Sequence, residues 1–186
     1  MDVHEAITVR VSVKEFSDRP VPPDRIERLL ELAIRAPNHR MTQPLEFRVL
    51  GPSTRRAYAE ALARRKAAGV DDPEAARAVV DRVVSRTTAV PSMIGVVIAQ
   101  SNDPEIREED YATAFMAIQN LCLAALEMGL GTHIKTGAVM DEPSLRNALR
   151  VGPDRRLVSI VFLGEPAEVP SAKVRDPAAS RTDWLD

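Results

Sequence analysis

The chain has little of the chemistry that many functional classes require. Its 186 residues include one cysteine, Cys122, so an intramolecular disulfide is impossible and a reducing, cytoplasmic location is expected. No apolar run approaches the ~20 residues that a membrane-spanning helix needs. With 25 Lys and Arg against 27 Asp and Glu, the formal net charge of -2 argues against general nucleic-acid binding.

Several motifs of catalysis and ligand binding are also missing. The sequence has no Gly-x-Ser-x-Gly elbow, no His-Glu-x-x-His helix, no Walker loop and no Gly-x-Gly-x-x-Gly turn. The three histidines, His4, His39 and His133, lie far apart, and we expect no metal site. Cys122 lies among apolar residues and is interpreted as a core residue rather than a nucleophile. A phosphate-bearing ligand would therefore have to be held by side chains.

Hydrophobic periodicity and turn residues predict a mixture of helices and strands around one small sheet, α+β or α/β. Gly129 and Gly131 are expected to form the left-handed turn after the longest helix. Residues 165–186 carry several prolines and little periodicity, and are interpreted as a C-terminal arm. Helices are predicted over 24–37, 53–63, 73–84, 104–128 and 141–149, and extended segments over 47–50, 93–99, 132–136 and 157–163.

The longest predicted helix, 104–128, is apolar on nearly every side. Such a helix has to be buried on most of its surface. Because one domain of this size rarely encloses a helix of this length, a second subunit is expected to cover part of it. We therefore expect a homodimer.

Three clusters contain cations and hydrogen-bond donors, and each has an ordinary alternative. The segment from Arg10 to Lys14 could bind an anion or be a solvated charged turn. The segment 35–44 could bind a ligand or be a helix end whose cations interact with the helix dipole. The segment 129–137 again places donors directly after a helix.

Taken together, these clusters resemble landmarks of the nitroreductase family of FMN-dependent oxidoreductases, particularly its short members. The matching elements are Arg-x-Ser-x-Lys at 10–14, Ala-Pro-Asn-His at 36–39 with Gln-Pro at 43–44, the 117–121 helix segment leading to Gly-Leu-Gly, and the 161–166 strand end. The resemblance covers nearly the whole chain. It implies one α+β, nitroreductase-like FMN-binding domain over 1–186, with 165–186 as its arm, which dimerises through long helices and binds FMN between subunits.

The resemblance also implies roles for individual residues. Arg10, Ser12 and the Val11 backbone correspond to residues that hold the FMN phosphate and ribityl chain, and Lys14 to one at the pyrimidine edge of the ring. Arg35 and His39 resemble residues lent to the flavin by the other subunit. The remaining candidates are Gln43, Ile134, Lys135 and Thr136, together with Lys173 and Arg175, which resemble a Lys-x-Arg pair that some members use on the phosphate.

The sequence departs from the family pattern at three positions. Val11 replaces a common arginine, Leu45 replaces a common aromatic residue, and Ile134 stands where a tryptophan is frequent.

The activity that the resemblance implies is electron transfer from NADH or NADPH through FMN to an electron-poor acceptor such as a nitroaromatic or a quinone, with no side chain required as acid or base. Two alternatives remain: a flavin-binding or flavin-consuming protein that does not use nicotinamide, and an interaction domain without a cofactor.

Overall fold

The computed structural model describes residues 1–186, and a four-stranded antiparallel sheet lies at its centre. The strand order is β1-β2-β4-β3, so β1 and β3 form the two edges. The strands are β1 (Leu45–Val49), β2 (Ser92–Ala99), β3 (Gly131–Lys135) and β4 (Arg155–Gly164).

Six α-helices surround the sheet, and five of them begin with a proline near the first position, where a missing N–H costs nothing. The side chains of Asp72 and Asp103 accept backbone N–H groups at the starts of α4 and α5. None of the helices combines the length and the apolar content that crossing a bilayer requires. The helices are α1 (Val3–Val9), α2 (Pro23–Ala33), α3 (Pro52–Ala67), α4 (Pro73–Thr88), α5 (Pro104–Glu127) and α6 (Pro143–Ala148), with short 3-10 turns at His39–Met41, Ala138–Asp141 and Ala178–Arg181.

The sheet separates two hydrophobic cores. On one face, Ile94, Val96 and Ile98 of β2 pack with α2 and α5. On the other face, Met93 and Val97 pack with side chains of α3 and α6. Because both faces are covered, every residue of β2 except the last is buried, which agrees with its nearly continuous apolar sequence.

The predicted α+β class is confirmed, with differences at several element ends. Helix α3 continues to Ala67 and α4 to Thr88, beyond the predicted ends, and β1 begins at Leu45 through pairing with Ile98. The interpretation of Gly131 was wrong. Gly129 has the left-handed backbone (φ 70°), whereas Gly131 does not and is the first residue of β3. Its missing side chain serves close packing instead: a Cβ there would lie 2.5 Å from the Val13 Cγ2.

Candidate functional site

The first candidate cluster lies alongside strand β3. Arg10 caps the end of α1, and Ser12 then forms a parallel bridge with Thr132. The Val13 N–H donates to the Thr132 carbonyl oxygen over 2.9 Å, and the buried Val13 side chain rests on Gly131. The fold therefore places the predicted residues of 10–14 beside the predicted residues of 134–136, although about 120 residues separate them in the sequence.

Lys14, His133 and Lys135 face one cavity of about 880 Å³ between β3 and the α3–α4 pair. The Lys135 Nζ lies 3.2 Å from the His133 Nε2 and 5.1 Å from the centre of the Phe162 ring. Burial, together with the charges of Lys66, Lys14 and Arg86, lowers the pKa of Lys135. Burial and the charges of Lys135 and Lys14 lower the pKa of His133 to about 4, so this imidazole is neutral at pH 7. The cavity is therefore strongly cationic without any contribution from histidine.

Arg10 lies on the other side of the 10–14 segment, toward α5. Burial raises the pKa of the Cys122 thiol, and the Arg10 charge opposes part of that rise. The buried thiol has the character of a core residue, as expected. Arg10, Lys14 and Lys135 form no ion pair with a carboxylate within the chain. Such unpaired cations around one segment suit an anionic ligand.

The second candidate cluster is a strained loop between α2 and β1. Arg40, Met41 and Gln43 have left-handed backbone conformations, with φ of 61°, 49° and 46°. A strained loop of this kind persists only when its surroundings hold it. The Asn38 Oδ1 accepts the Gln43 N–H over 2.7 Å, and its Nδ2 donates to the Thr42 hydroxyl over 2.9 Å.

Contacts with α5 hold the same loop from the other side. The His39 Nδ1 lies 2.7 Å from a Glu109 carboxylate oxygen, and Arg40 forms ion pairs with Glu109 and Glu105. Hydrogen bonding with His39 lowers the pKa of Glu109. Glu109 is not among the residues predicted from the sequence, because it lies 70 positions from His39 and gives no local signal of the contact. Since Glu109 occupies Nδ1, the Nε2 of His39 remains for another partner.

Arg35 and Gln43 border a second cavity, of about 420 Å³, beside this loop. Gln43 directly precedes β1, whereas Lys14 and Lys135 adjoin β3 at the opposite edge of the sheet. Three strand spacings of ~4.8 Å separate those edges, about 14 Å in all. Within one chain, the 35–43 residues and the Arg10–Lys14 segment therefore lie toward opposite edges of the sheet.

The remaining candidates, Lys173 and Arg175, lie on the exposed C-terminal arm. Neither forms a hydrogen bond or an ion pair within the chain. Val174 between them, and Trp184 and Leu185 near the end, expose nine tenths or more of their surface. The structure does not bring this pair onto Arg10 or Lys14.

Comparison with known proteins agrees with this architecture. YfhC of Bacillus subtilis, provisionally named an NAD(P)H nitroreductase, is 29% identical over 184 residues, covering 96% of this chain and 92% of YfhC. The crystal structure of a nitroreductase-like family protein from Bacillus cereus superposes with a TM-score of 0.87 at 25% identity, covering 100% and 97% of the two chains.

A more distant structure shares the fold over its whole length. The nitroreductase NfnB from Sphigopyxis sp. strain HMH, described as FMN- and NADPH-dependent, superposes with a TM-score of 0.78 at 22% identity, with both chains fully covered. The sequence profile of the nitroreductase family itself matches residues 7–165. This span includes both candidate clusters and all four strands, and the chain therefore belongs to the nitroreductase family.

Proposed function

We propose that this protein is an FMN-dependent oxidoreductase that passes electrons from NADH or NADPH to an electron-poor acceptor such as a nitroaromatic or a quinone. The observation that carries the proposal is the gathering of unpaired cations along the 10–14 segment and β3, in a chain of the nitroreductase family. When bound, FMN supplies the two-electron chemistry, and the protein supplies binding, orientation and electrostatics.

The donor set fits such a cofactor. We assign Arg10, Ser12 and the Val11 backbone to the phosphate and ribityl chain, because a guanidinium and a hydroxyl are strong donors to a phosphate. Lys14 is assigned to the pyrimidine edge, where a cation stabilises negative charge. Ile134, Lys135 and Thr136 are assigned to contacts with the flavin ring. They lie at the end of edge strand β3 or directly after it, and this strand borders the 10–14 segment. Lys173 and Arg175, on the exposed C-terminal arm, are further candidates for the phosphate.

The site is completed by a second subunit in this proposal. Arg35, His39 and Gln43 lie at the opposite edge of the sheet from Lys14, so they are assigned to the flavin of the partner subunit. An exposed stripe on α5 that includes Ala112 and Met116 provides an apolar surface for that partner. Helix α1, which contacts α5, exposes three further apolar residues, namely Val3, Ile7 and Val9, with exposures of 69%, 56% and 42%.

The spectrum of the purified protein tests the proposal. We expect yellow protein that bleaches anaerobically when NADH or NADPH is added and recovers its colour when a nitroaromatic or quinone follows. Bound flavin that nicotinamide does not reduce would instead indicate the flavin-binding or flavin-consuming alternative. Colourless protein that free FMN does not stabilise would reject both, because a ligand that binds only the folded state raises its stability.

A further inference from the structure

One wall of the large cavity carries cations that the proposed cofactor site does not use. Lys66 lies at the end of α3, and Arg82 and Arg86 lie on α4; all three line the cavity opposite Lys14 and Lys135. Arg86 is bound to Glu15, whereas Lys66 and Arg82 have no carboxylate partner in the chain. The sequence predicts a helix over 73–84 here but does not indicate where its cations point.

These cations share one space with the lysines of the site. The charges of Lys66, Lys14 and Arg86 all lower the pKa of Lys135, which requires that they lie close enough to repel it. Glu15 is the single carboxylate among the lining residues. The five lining cations are Lys14, Lys66, Arg82, Arg86 and Lys135.

The cavity also has room and an apolar wall for an organic molecule. Its volume of about 880 Å³ is typical of small-ligand sites. Phe16, Leu62, Val79 and Phe162 provide apolar lining. Arg10 and Ser12, assigned to the FMN phosphate, are not among the lining residues. The cations on α3 and α4 are therefore available for a different anionic group.

We propose that Lys66 and Arg82 bind a carboxylate or phosphate group of the substrate that exchanges electrons with the flavin, so that the enzyme prefers anionic substrates. The proposal rests on the proposed function and specifies the substrate class of the same site. Two sources could supply the anion: a carboxylate on the electron acceptor, or the 2′-phosphate that distinguishes NADPH from NADH.

Matched substrate pairs separate these sources in a K66Q/R82Q variant of the full chain. One arm compares 4-nitrobenzoate with the neutral 4-nitrobenzamide, using NADH as donor. The other arm compares NADPH with NADH, using 4-nitrobenzamide as acceptor. The side chains of Lys66 and Arg82 are exposed and form no hydrogen bond within the chain, so we expect their replacement to leave the fold intact. R77Q provides the control, because it removes the same charge from an exposed position of α4 outside the cavity.

The expected result is a fall of about fivefold or more in the kcat/KM of K66Q/R82Q for the member that carries the additional anionic group, 4-nitrobenzoate or NADPH, in at least one pair, as losing a contact to a charged group predicts. The kcat/KM of K66Q/R82Q for 4-nitrobenzamide and NADH, and that of R77Q for all four substrates, should stay within about twofold of the unmodified protein, the scatter typical of surface substitutions. Equal loss for both members of each pair, or no loss, would overturn the proposal. A fall in bound FMN in K66Q/R82Q would also overturn it, because the cations would then belong to the cofactor.

Titration calorimetry with 4-nitrobenzoate and, separately, with NADP+ gives a readout that does not need turnover. We expect K66Q/R82Q to bind at least one of these two ligands at least about fivefold more weakly than R77Q, with the difference shrinking as salt is raised. Should the purified protein be colourless and free FMN fail to stabilise it, the proposed function fails while the same titrations still decide whether the anion site exists. Equal affinities of the two variants for both ligands would reject the anion site.

Discussion

Replacing Gly131 by alanine should damage the proposed cofactor site through packing alone. The new Cβ would lie 2.5 Å from the Val13 Cγ2, 2.9 Å from its Cβ and 3.1 Å from its Cγ1. Carbon atoms in protein interiors do not approach so closely, so either Val13 or the start of β3 has to move. Val13 is buried between Ser12 and Lys14, and its displacement shifts both of those residues.

The size of the effect follows from the contacts. Overpacking of this kind costs about 1–3 kcal/mol of unfolding free energy. If the hydrogen bond from the Val13 N–H to the Thr132 carbonyl also breaks, about 1 kcal/mol more is lost. A protein of this size loses ~2–4 °C of melting temperature per kcal/mol. FMN affinity should fall by about tenfold, since each 1.4 kcal/mol of lost contact corresponds to that factor.

Two measurements check the prediction: denaturant unfolding of the protein and a fluorescence titration with FMN. The control is Gly69→Ala, because a Cβ at Gly69 meets nothing within 4 Å. Adding Val13→Ala to Gly131→Ala removes both Cγ clashes but leaves the 2.9 Å contact to Cβ, so the double variant should recover part of the loss. If Gly131→Ala matches Gly69→Ala in both stability and FMN affinity, the packing argument is wrong.

Two further predictions concern the proposed cofactor contacts. Arg10→Ala should weaken FMN binding by roughly 2–3 kcal/mol in titration calorimetry, the value of a charge-assisted contact, and an unchanged affinity would remove Arg10 from the site. Mixing Arg10→Glu subunits with His39→Ala subunits should give more activity than either parent, because one of the two sites in each mixed dimer would carry neither lesion. Activity equal to the parental average, with subunit exchange verified by mass spectrometry, would place Arg10 and His39 in the same subunit's site.

Local sequence patterns predicted most of the secondary structure because the interactions that start and end these elements are local. Proline at the first helical turn and aspartate caps mark the starts of α4 and α5, and both features can be read without a fold. The nearly continuous apolar run of β2 is likewise typical of a strand buried on both faces. Element ends were less predictable. Leu45 enters β1 because Ile98 of β2 pairs with it, and no neighbour in the sequence reports that pairing.

The candidate site was predicted by residue type and order, but its arrangement depends on contacts between distant segments. Gly131 looked like a turn residue because it follows a helix and Gly129, while its actual constraint is the Val13 side chain, 118 positions earlier. His39 was identified from its motif, whereas Glu109, which holds its ring, was not. A charged side chain on a helix can face a cavity or the solvent, and its position in the sequence does not show which of these it faces.

The sequence by itself determined the family and the α+β class, since these depend on motifs and local periodicity, and it supplied the candidate residues for a phosphate. Only the tertiary structure decided that Lys66 and Arg82 share a cavity with Lys14, and that the 35–43 loop lies at the opposite edge of the sheet. The physical reason is that strand order and helix packing join segments far apart in the chain through buried apolar contacts. Those contacts set distances and electric fields that no short stretch of sequence encodes.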